Sequence, residues 1–436
     1  MLDGLYGLVI IDLPTILVFS ALSIAAVLYL LIRRPTARWV VTVLIAILGA
    51  ALIAVVLILV LNASETFGPP LPPTTDIWTI ITFAAIGLAI VNLWRSRWWR
   101  TLIAAISIVL FTLTGGLIIN AYFGLDRTVG SLFGIVSGDK ANVIGPNSND
   151  ADPTTPLYET WKPPADMPTK GKTGLLSGTD AIPATLSGFP ARAASVYYPP
   201  AALVKNPPRL PFVLLMMGQP GTPDPQYIAN VLDGMAAKNH GLAPIALVVD
   251  QLSDPAKDPA CADSTTYGKA ETYITKDVVN WAKANLNILH GAKYWTIAGY
   301  SNGGACAFKY AAESPDVWGN LIDASGDEFP GTEIQADTIK NVFGGNKAAY
   351  EASKPASILA AHPGTYSKTV AVFTTGQNDA AFGPGAKRAS QAAQTAGMQT
   401  TFYVIPGADH VGGAVDGGLQ KGFDVLYPHL GLSKPT

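Results

Sequence analysis

Charge is scarce in this chain. Only 14% of its 436 residues are Asp, Glu, Lys or Arg, against about a quarter in an ordinary globular protein. The net charge is -2, and no basic tail or stripe is present. That excludes the electrostatic footprint of a nucleic-acid binder, so no nucleic-acid partner is expected. Cysteine is scarcer still. Cys261 and Cys306 are the two in the chain, too few for a zinc cluster without a nearby histidine pair. No G-x-G-x-x-G opens a helix, and P-loop and HExxH patterns are missing. No cofactor or metal is therefore expected. A fixed-period repeat, the mark of a solenoid, is also missing.

Apolar residues, in contrast, make up 49% of the chain. They are unevenly distributed, with nearly all the long apolar runs before residue 121 and most of the charge after it. A membrane part joined to a soluble part follows. Four stretches reach the roughly 20 residues a helix needs to cross a bilayer: Leu13 to Ile32, Trp39 to Leu61, Ile77 to Trp94 and Thr101 to Ile119. The first ends in Arg33 and Arg34 with no small-residue cleavage site, so it reads as an anchor and not a removed leader. Ionisable residues are nearly missing inside the spans, which favours an anchor over a transport pathway.

Arg33, Arg34 and Arg38 follow the first span, and Arg95, Arg97 and Arg100 follow the third. The N-terminal tail and the segment from Asn62 to Asp76 have no Lys or Arg but carry Asp3, Asp12, Glu65 and Asp76. The positive-inside rule puts both arginine loops in the cytoplasm and both termini outside. Trp39, Trp78, Trp94, Trp98 and Trp99 fall at span ends, where aromatic belts form. Between Tyr122 and Phe133, Tyr122, Leu125, Val129, Leu132 and Phe133 recur at helical spacing, suggesting a short helix lying in the interface. Residues 142–168 are rich in Pro, Asn, Asp and Thr and read as an extended linker. The expected organisation is a four-helix anchor over 1–121, an interfacial helix and linker over 122–170, and a catalytic domain over 171–436.

Past the linker, short apolar runs alternate with helical patterns. Gly174–Ser187 and Ala191–Tyr198 read as an early antiparallel pair. Phe212–Met217, Ile245–Val249, Trp295–Ala298, Leu321–Ala324, Thr369–Thr374 and Thr400–Ile405 read as strands. Helices are expected over Tyr227–Lys238, Tyr273–Leu286, Gly304–Glu313 and Ala386–Ala396. Alternation of this kind predicts a doubly wound, mostly parallel sheet, with its active site beyond the carboxyl ends of the strands.

Gly299-Tyr300-Ser301-Asn302-Gly303 lies between the run YWTIA and the helical stretch ACAFKYAAE. Strand before and helix after is the context of a nucleophile elbow, so Ser301 is the candidate nucleophile. The alternative is a serine that only caps the helix. A serine hydroxyl needs a base, and the chain order Ser, acid, His selects His410, directly after the last strand. His429 lies in the C-terminal tail, His240 and His290 at helix ends, and His362 at the wrong end of the sheet. Asp379 follows the penultimate strand and is the candidate acid, with Asp327 and Glu328 as rivals. The tetrahedral intermediate needs backbone donors. Asn302, after the nucleophile, supplies one. The loop Gly218-Gln219-Pro220-Gly221 supplies the other, from Gln219 because proline has no N–H. An extracytoplasmic second half would permit a Cys261–Cys306 bridge; two reduced thiols fit the sequence equally.

These residues resemble the esterase D / putative esterase branch of the α/β-hydrolases, which includes the mycolyltransferases of the actinobacterial envelope. The resemblance runs from about Ala191 to the C-terminus. Ala194–Pro200 looks like the family's early strand and turn, Leu214–Gly221 like its oxyanion strand and loop, and Glu271-Thr272-Tyr273 with Ile274 to Trp281 like the helix before the nucleophile strand. Ser301, Asp379 and His410 fall on its triad positions. The four-helix N-terminus resembles a membrane-tethered actinobacterial subgroup, whose paired cysteines Cys261 and Cys306 look like. The family's transferases often carry glutamate as the acid, so Asp379 leans toward hydrolysis. Relatives commonly have Gly-Gly-His and an aromatic where this chain has Ala-Asp-His-Val. The resemblance implies an α-helical membrane domain followed by an α/β-hydrolase domain. It would act as an extracytoplasmic serine carboxylester hydrolase on a lipid or cell-envelope ester at the bilayer. An acyltransferase with the same triad, or a catalytically silent envelope protein, is the alternative.

A tag on either terminus is expected to resist protease added to the cytoplasmic face of inverted vesicles; its cleavage there would reverse the topology.

Overall fold

The computed structural model describes residues 5–64, 70–94, 96–124, 126–133, 138–146, 152, 154–411 and 413–435. Asp3, Glu65, Arg95 and Leu125 lie outside them. The chain divides into two compact units, Met1–Ile135 and Val136–Thr436.

The first unit contains four long helices: α1 (Leu13–Leu31), α2 (Ala37–Ala63), α3 (Pro73–Val91) and α4 (Trp98–Phe123). All four are long and apolar enough to cross a membrane. They carry outward-facing Leu, Ile and Val along their length, as a lipid-facing surface would. Inside the unit, an apolar cluster of Leu30, Val43, Leu88 and Phe111 is accompanied by small and polar contacts. A Cβ on Gly87 of α3 would meet the Ala46 carbonyl of α2 at 2.5 Å, and one on Gly115 of α4 would strike Thr82 of α3. The Ser23 hydroxyl of α1 bonds that of Thr114 of α4 at 2.7 Å. Close backbone approach and interhelical hydrogen bonds are how helices associate where water supplies no driving force. Arg100 donates to the Leu30 and Ile32 carbonyls at the end of α1 and to Asn92. It thus satisfies orphan carbonyls and opposes the negative end of the helix dipole.

The interfacial helix expected over Tyr122 to Phe133 does not form. α4 stops at Phe123, where Gly124 adopts a left-handed φ of 61°. The Asn120 side chain then brackets Asp126 by donating to its carbonyl and accepting from its N–H. The chain turns back to pair Thr128 with Val9, and only a single 3-10 turn, Ser131–Phe133, follows. The apolar spacing was real, but a glycine stop and an Asn-stabilised turn outweigh it.

The second unit is built on an eight-stranded sheet. Its strands are β1 (Lys172–Leu175), β2 (Ser195–Tyr198), β3 (Phe212–Met216), β4 (Ile245–Val249), β5 (Trp295–Tyr300), β6 (Asn320–Ala324), β7 (Val370–Gly376) and β8 (Gln399–Ile405). They lie in the order β1-β2-β4-β3-β5-β6-β7-β8. β2 runs antiparallel to both β1 and β4, and every pair from β4 to β8 is parallel. β3, β4, β6 and β7 are buried at every position, which explains why they read as unbroken apolar runs.

Its helices include α5 (Gln226–Lys238), α6 (Val279–Asn285), α7 (Asn302–Glu313), α8 (Gly383–Thr395) and α9 (Ala414–His429), and seven-residue helices Gln335–Asn341, Lys347–Ser353 and Pro355–Ala361 lie between β6 and β7. α6 continues a π-helical stretch, Tyr273–Val278. Alternation along β6 shows how the sheet is covered. Ile322 and Ala324 meet Gly422 and Gly418 of α9, while Asp323 between them meets Gly304 of α7. Successive strand residues face opposite sides, so α7 and α9 cover opposite faces of the sheet. This is a doubly wound α/β architecture with its chemistry expected beyond the strand ends.

Cys261 and Cys306, 45 positions apart in sequence, form a disulfide with Cα atoms 5.3 Å apart. It joins the loop after β4 to the second turn of α7. Replacing both cysteines by alanine is expected to cost roughly 2–4 kcal/mol, by release of a loop of this length in the unfolded chain. Denaturation of the whole chain in detergent, with and without reductant, measures it; unchanged midpoints would contradict the expectation.

Candidate active site

Ser301 sits where β5 passes into α7, with φ 53° and ψ -123°. An L-residue rarely holds this conformation, and the neighbouring packing imposes it. A Cβ on Gly299 would strike the Gly303 carbonyl, and one on Gly303 would strike the Met216 carbonyl at the end of β3. The glycines of the motif are thus required by backbone-to-backbone approach, and the serine side chain is turned out of the bend.

The Ser301 hydroxyl lies 2.9 Å from Nε2 of His410. Nδ1 of the same ring lies 2.8 Å from Oδ2 of Asp379. A carboxylate accepts only, so Nδ1 carries the proton and Nε2 is left to accept from the serine. The second Asp379 oxygen accepts the Phe382 N–H at 2.9 Å. The Asp379 side chain is 1% exposed and that of His410 19%, so the ring alone meets the cleft. Phe382 stacks on the imidazole with centroids 4.0 Å apart, and the Tyr300 hydroxyl donates to the His410 carbonyl at 2.8 Å. The two loops supplying acid and base are laced together. Gln377 and Asn378 donate to the Ile405 and Ala408 carbonyls, and the Gln377 side chain accepts from Gly407.

The loop after β3 passes directly against the serine. A Cβ on Gly218 would lie 3.2 Å from the Ser301 Cβ and from the Tyr300 ring. Gly221 closes the turn by donating to Gly218. The Gln219 side chain points away, to the Pro255 carbonyl at 3.3 Å. Among the described residues, no hydrogen bond engages the backbone N–H of Asn302 or Gln219. The rival acids are occupied or buried elsewhere. Glu328 pairs with Arg388, and Asp327 is buried in the loop after β6. Of the other histidines, His290 pairs with Asp152 and His362 with the Ile358 carbonyl.

Sequence reasoning weighed Asp327 only as a rival acid and missed the other buried acids, Asp258, Asp323 and Glu333. Burial pushes the Asp258 carboxyl up, against hydrogen bonds from Ala260 and Asn302. Burial and the Glu333 charge push Asp327 well up. Glu333 is raised to about 6 by burial, with His410 pulling the other way. Asp323, under the bend, is raised by burial to about 7 although it accepts the Gly326 N–H at 2.8 Å. Asp258 and Glu333 lie outside helices and strands and Asp323 sits inside an apolar strand, so no periodic signal singled out these three.

Residues 191–411 match the family model described as "Putative esterase", a span holding Ser301, Asp379 and His410. The chain belongs to this family. It is a serine hydrolase of carboxylic esters with an α/β-hydrolase fold. An uncharacterized protein of Corynebacterium glutamicum is 28% identical over 412 residues, covering 90% of each chain. Among solved structures, an S-formylglutathione hydrolase from Agrobacterium tumefaciens aligns at 16% identity. It covers 61% of this chain and 98% of its own, with a TM-score of 0.49. A ferulic acid esterase aligns at 15% identity, covering 60% of this chain and 98% of its own, with a TM-score of 0.47.

The buried Asp323 gives a pH signature. Its carboxyl is neutral in the fold below about 7 but ionises near 4 when unfolded. The unfolded state therefore loses its proton first, and stability falls as pH rises between these values. Asp323→Asn is expected to leave melting unchanged near pH 4. It should raise stability at pH 8, by on the order of 2–4 kcal/mol. An equal effect at both pH values would refute the assignment.

Proposed function

We propose that this esterase is anchored in the membrane by α1–α4, holds its catalytic unit on the extracytoplasmic side, and cleaves a lipid or cell-envelope ester through an acyl-enzyme on Ser301. The single observation that carries the reading is the continuous hydrogen-bonded chain from Ser301 through His410 to Asp379. As Ser301 Oγ bonds to the ester carbonyl carbon, its proton passes to Nε2 of His410. Asp379 holds the ring in place and stabilises the imidazolium. The carbonyl oxygen becomes an oxyanion, received by the N–H groups of Asn302 and Gln219. The intermediate collapses, the C–O bond to the alcohol breaks, and His410 returns the proton to the leaving oxygen. Water then enters, gives its proton to His410 and attacks the acyl carbon. Carboxylic acid leaves and the serine hydroxyl is restored.

The arginine loops support the orientation. The Corynebacterium relative matches 90% of this chain, more than the second unit alone holds. This supports a membrane-tethered actinobacterial subgroup in which both units occur together, related to the mycolyltransferases.

Ser301→Ala is expected to abolish hydrolysis of p-nitrophenyl butyrate and labelling by a fluorophosphonate without lowering the melting temperature. Asp379→Asn should lose roughly 10⁴-fold in kcat, and Asp327→Asn should not share that loss. Turnover that survives Ser301→Ala would overturn the assignment. Glycerol or trehalose added to the assay reports the acceptor: an acylated polyol as main product would make the enzyme a transferase.

A further inference from the structure

The two backbone donors assigned to the reacting carbonyl follow the neighbouring strands β3 and β5, whose pairing ends at Met216 and Gly299, and both donors lie past that last pair. One buried side chain spans the gap. Gln251, two residues after β4, is 3% exposed. Its Nε2 donates both to the Met217 carbonyl at 2.7 Å and to the Asn302 side-chain oxygen at 3.1 Å. Met217 immediately precedes the loop that carries Gln219, and Asn302 is the residue after the nucleophile.

The polarity of this bridge is fixed from both ends. A backbone carbonyl only accepts, so the nitrogen of Gln251 must face Met217. The same nitrogen then requires the oxygen of Asn302, which turns the Asn302 amide nitrogen toward Asp258 at 3.1 Å. Asp258 Oδ1 also accepts from the Ala260 N–H at 2.8 Å, and the neighbouring Cys261 is bonded to Cys306, one turn along α7 from Asn302. The far end of the β3 loop is held from the same strand. Asp250 binds the Arg192 guanidinium through both oxygens, and Arg192 donates to the Gly221 carbonyl at 2.9 Å. The end of β4 therefore grips both flanks of the 218–220 turn and the first residue of α7 in one network.

We infer that Gln251 is a positioning residue of the oxyanion hole: by binding the Met217 carbonyl and the Asn302 side chain together, it sets the spacing of the Gln219 and Asn302 N–H groups. The Asn302 side chain is then an anchor for its own backbone and not a substrate contact. Donors aimed at charge that develops only in the transition state act on kcat and leave KM nearly unchanged. This inference rests on the active-site reading given above.

The test is Gln251→Ala and Gln251→Met, the second keeping the side chain's length while removing the donor, alongside Asn302→Ala and the double variant Gln251→Ala/Asn302→Ala. All are made in the full chain and assayed in detergent with p-nitrophenyl butyrate. Each single variant is expected to lose roughly 10–100-fold in kcat with KM within about twofold. Inhibition by a trifluoromethyl ketone, which forms a tetrahedral oxyanion on the serine, should weaken by the same factor as kcat/KM. The midpoint of the pH–rate profile should not move. The double variant should be no worse than about twofold below the poorer single one, because both act through the same spacing. Gln251 variants within twofold of the parent kcat, a change confined to KM, or losses that multiply in the double variant would each overturn the inference. A parent enzyme without Ser301-dependent turnover would instead overturn the active-site reading and this inference with it.

Discussion

A single residue held at positive φ organises the catalytic unit. Ser301 can occupy its bend only because carbonyl oxygens of Gly303 and Met216 lie where the side chains of residues 299 and 303 would otherwise stand. Those close approaches press the ends of β3 and β5 against the start of α7, and the hydroxyl is turned outward by the same geometry. The strain of such a backbone, of order 1–3 kcal/mol, is maintained by the surrounding sheet, whose central strands are fully buried. The disulfide from α7 to the loop after β4 restrains the same region from outside the sheet.

What could be read from the residues follows from which signals are periodic. β3, β4, β6 and β7 were legible as strands because burial on both faces leaves uninterrupted apolar runs. Ser301, Asp379 and His410 were placed by a different logic, chain order relative to strand ends, and the structure brings those three side chains within hydrogen-bonding distance. The segment after Phe123 misled because apolar spacing cannot register a left-handed glycine or an asparagine that closes a turn. Gln251, Asp258 and Asp323 were illegible for a related reason. Each works through one or two specific partners distant in sequence, and no local pattern encodes such a pairing.

The electrostatics of the cleft run against the usual arrangement for an anion-stabilising site. Asp258, Asp323, Asp327 and Glu333 gather at the strand ends where negative charge must develop. Burial raises each of them, so the fold disfavours their charged forms. The donors proposed for the carbonyl are backbone groups, whose dipoles need no counter-ion and cannot titrate away.

Nucleophile and base are 109 residues apart in the chain, and the base lies close to its C-terminal end. During synthesis the serine emerges long before the imidazole that activates it. Until the imidazole arrives, the serine has no base to activate it. Competence arrives only when the closing strand β8 docks beside β7 and carries the ring into place. The order of residues along the polypeptide thus sets when the hydroxyl becomes a nucleophile.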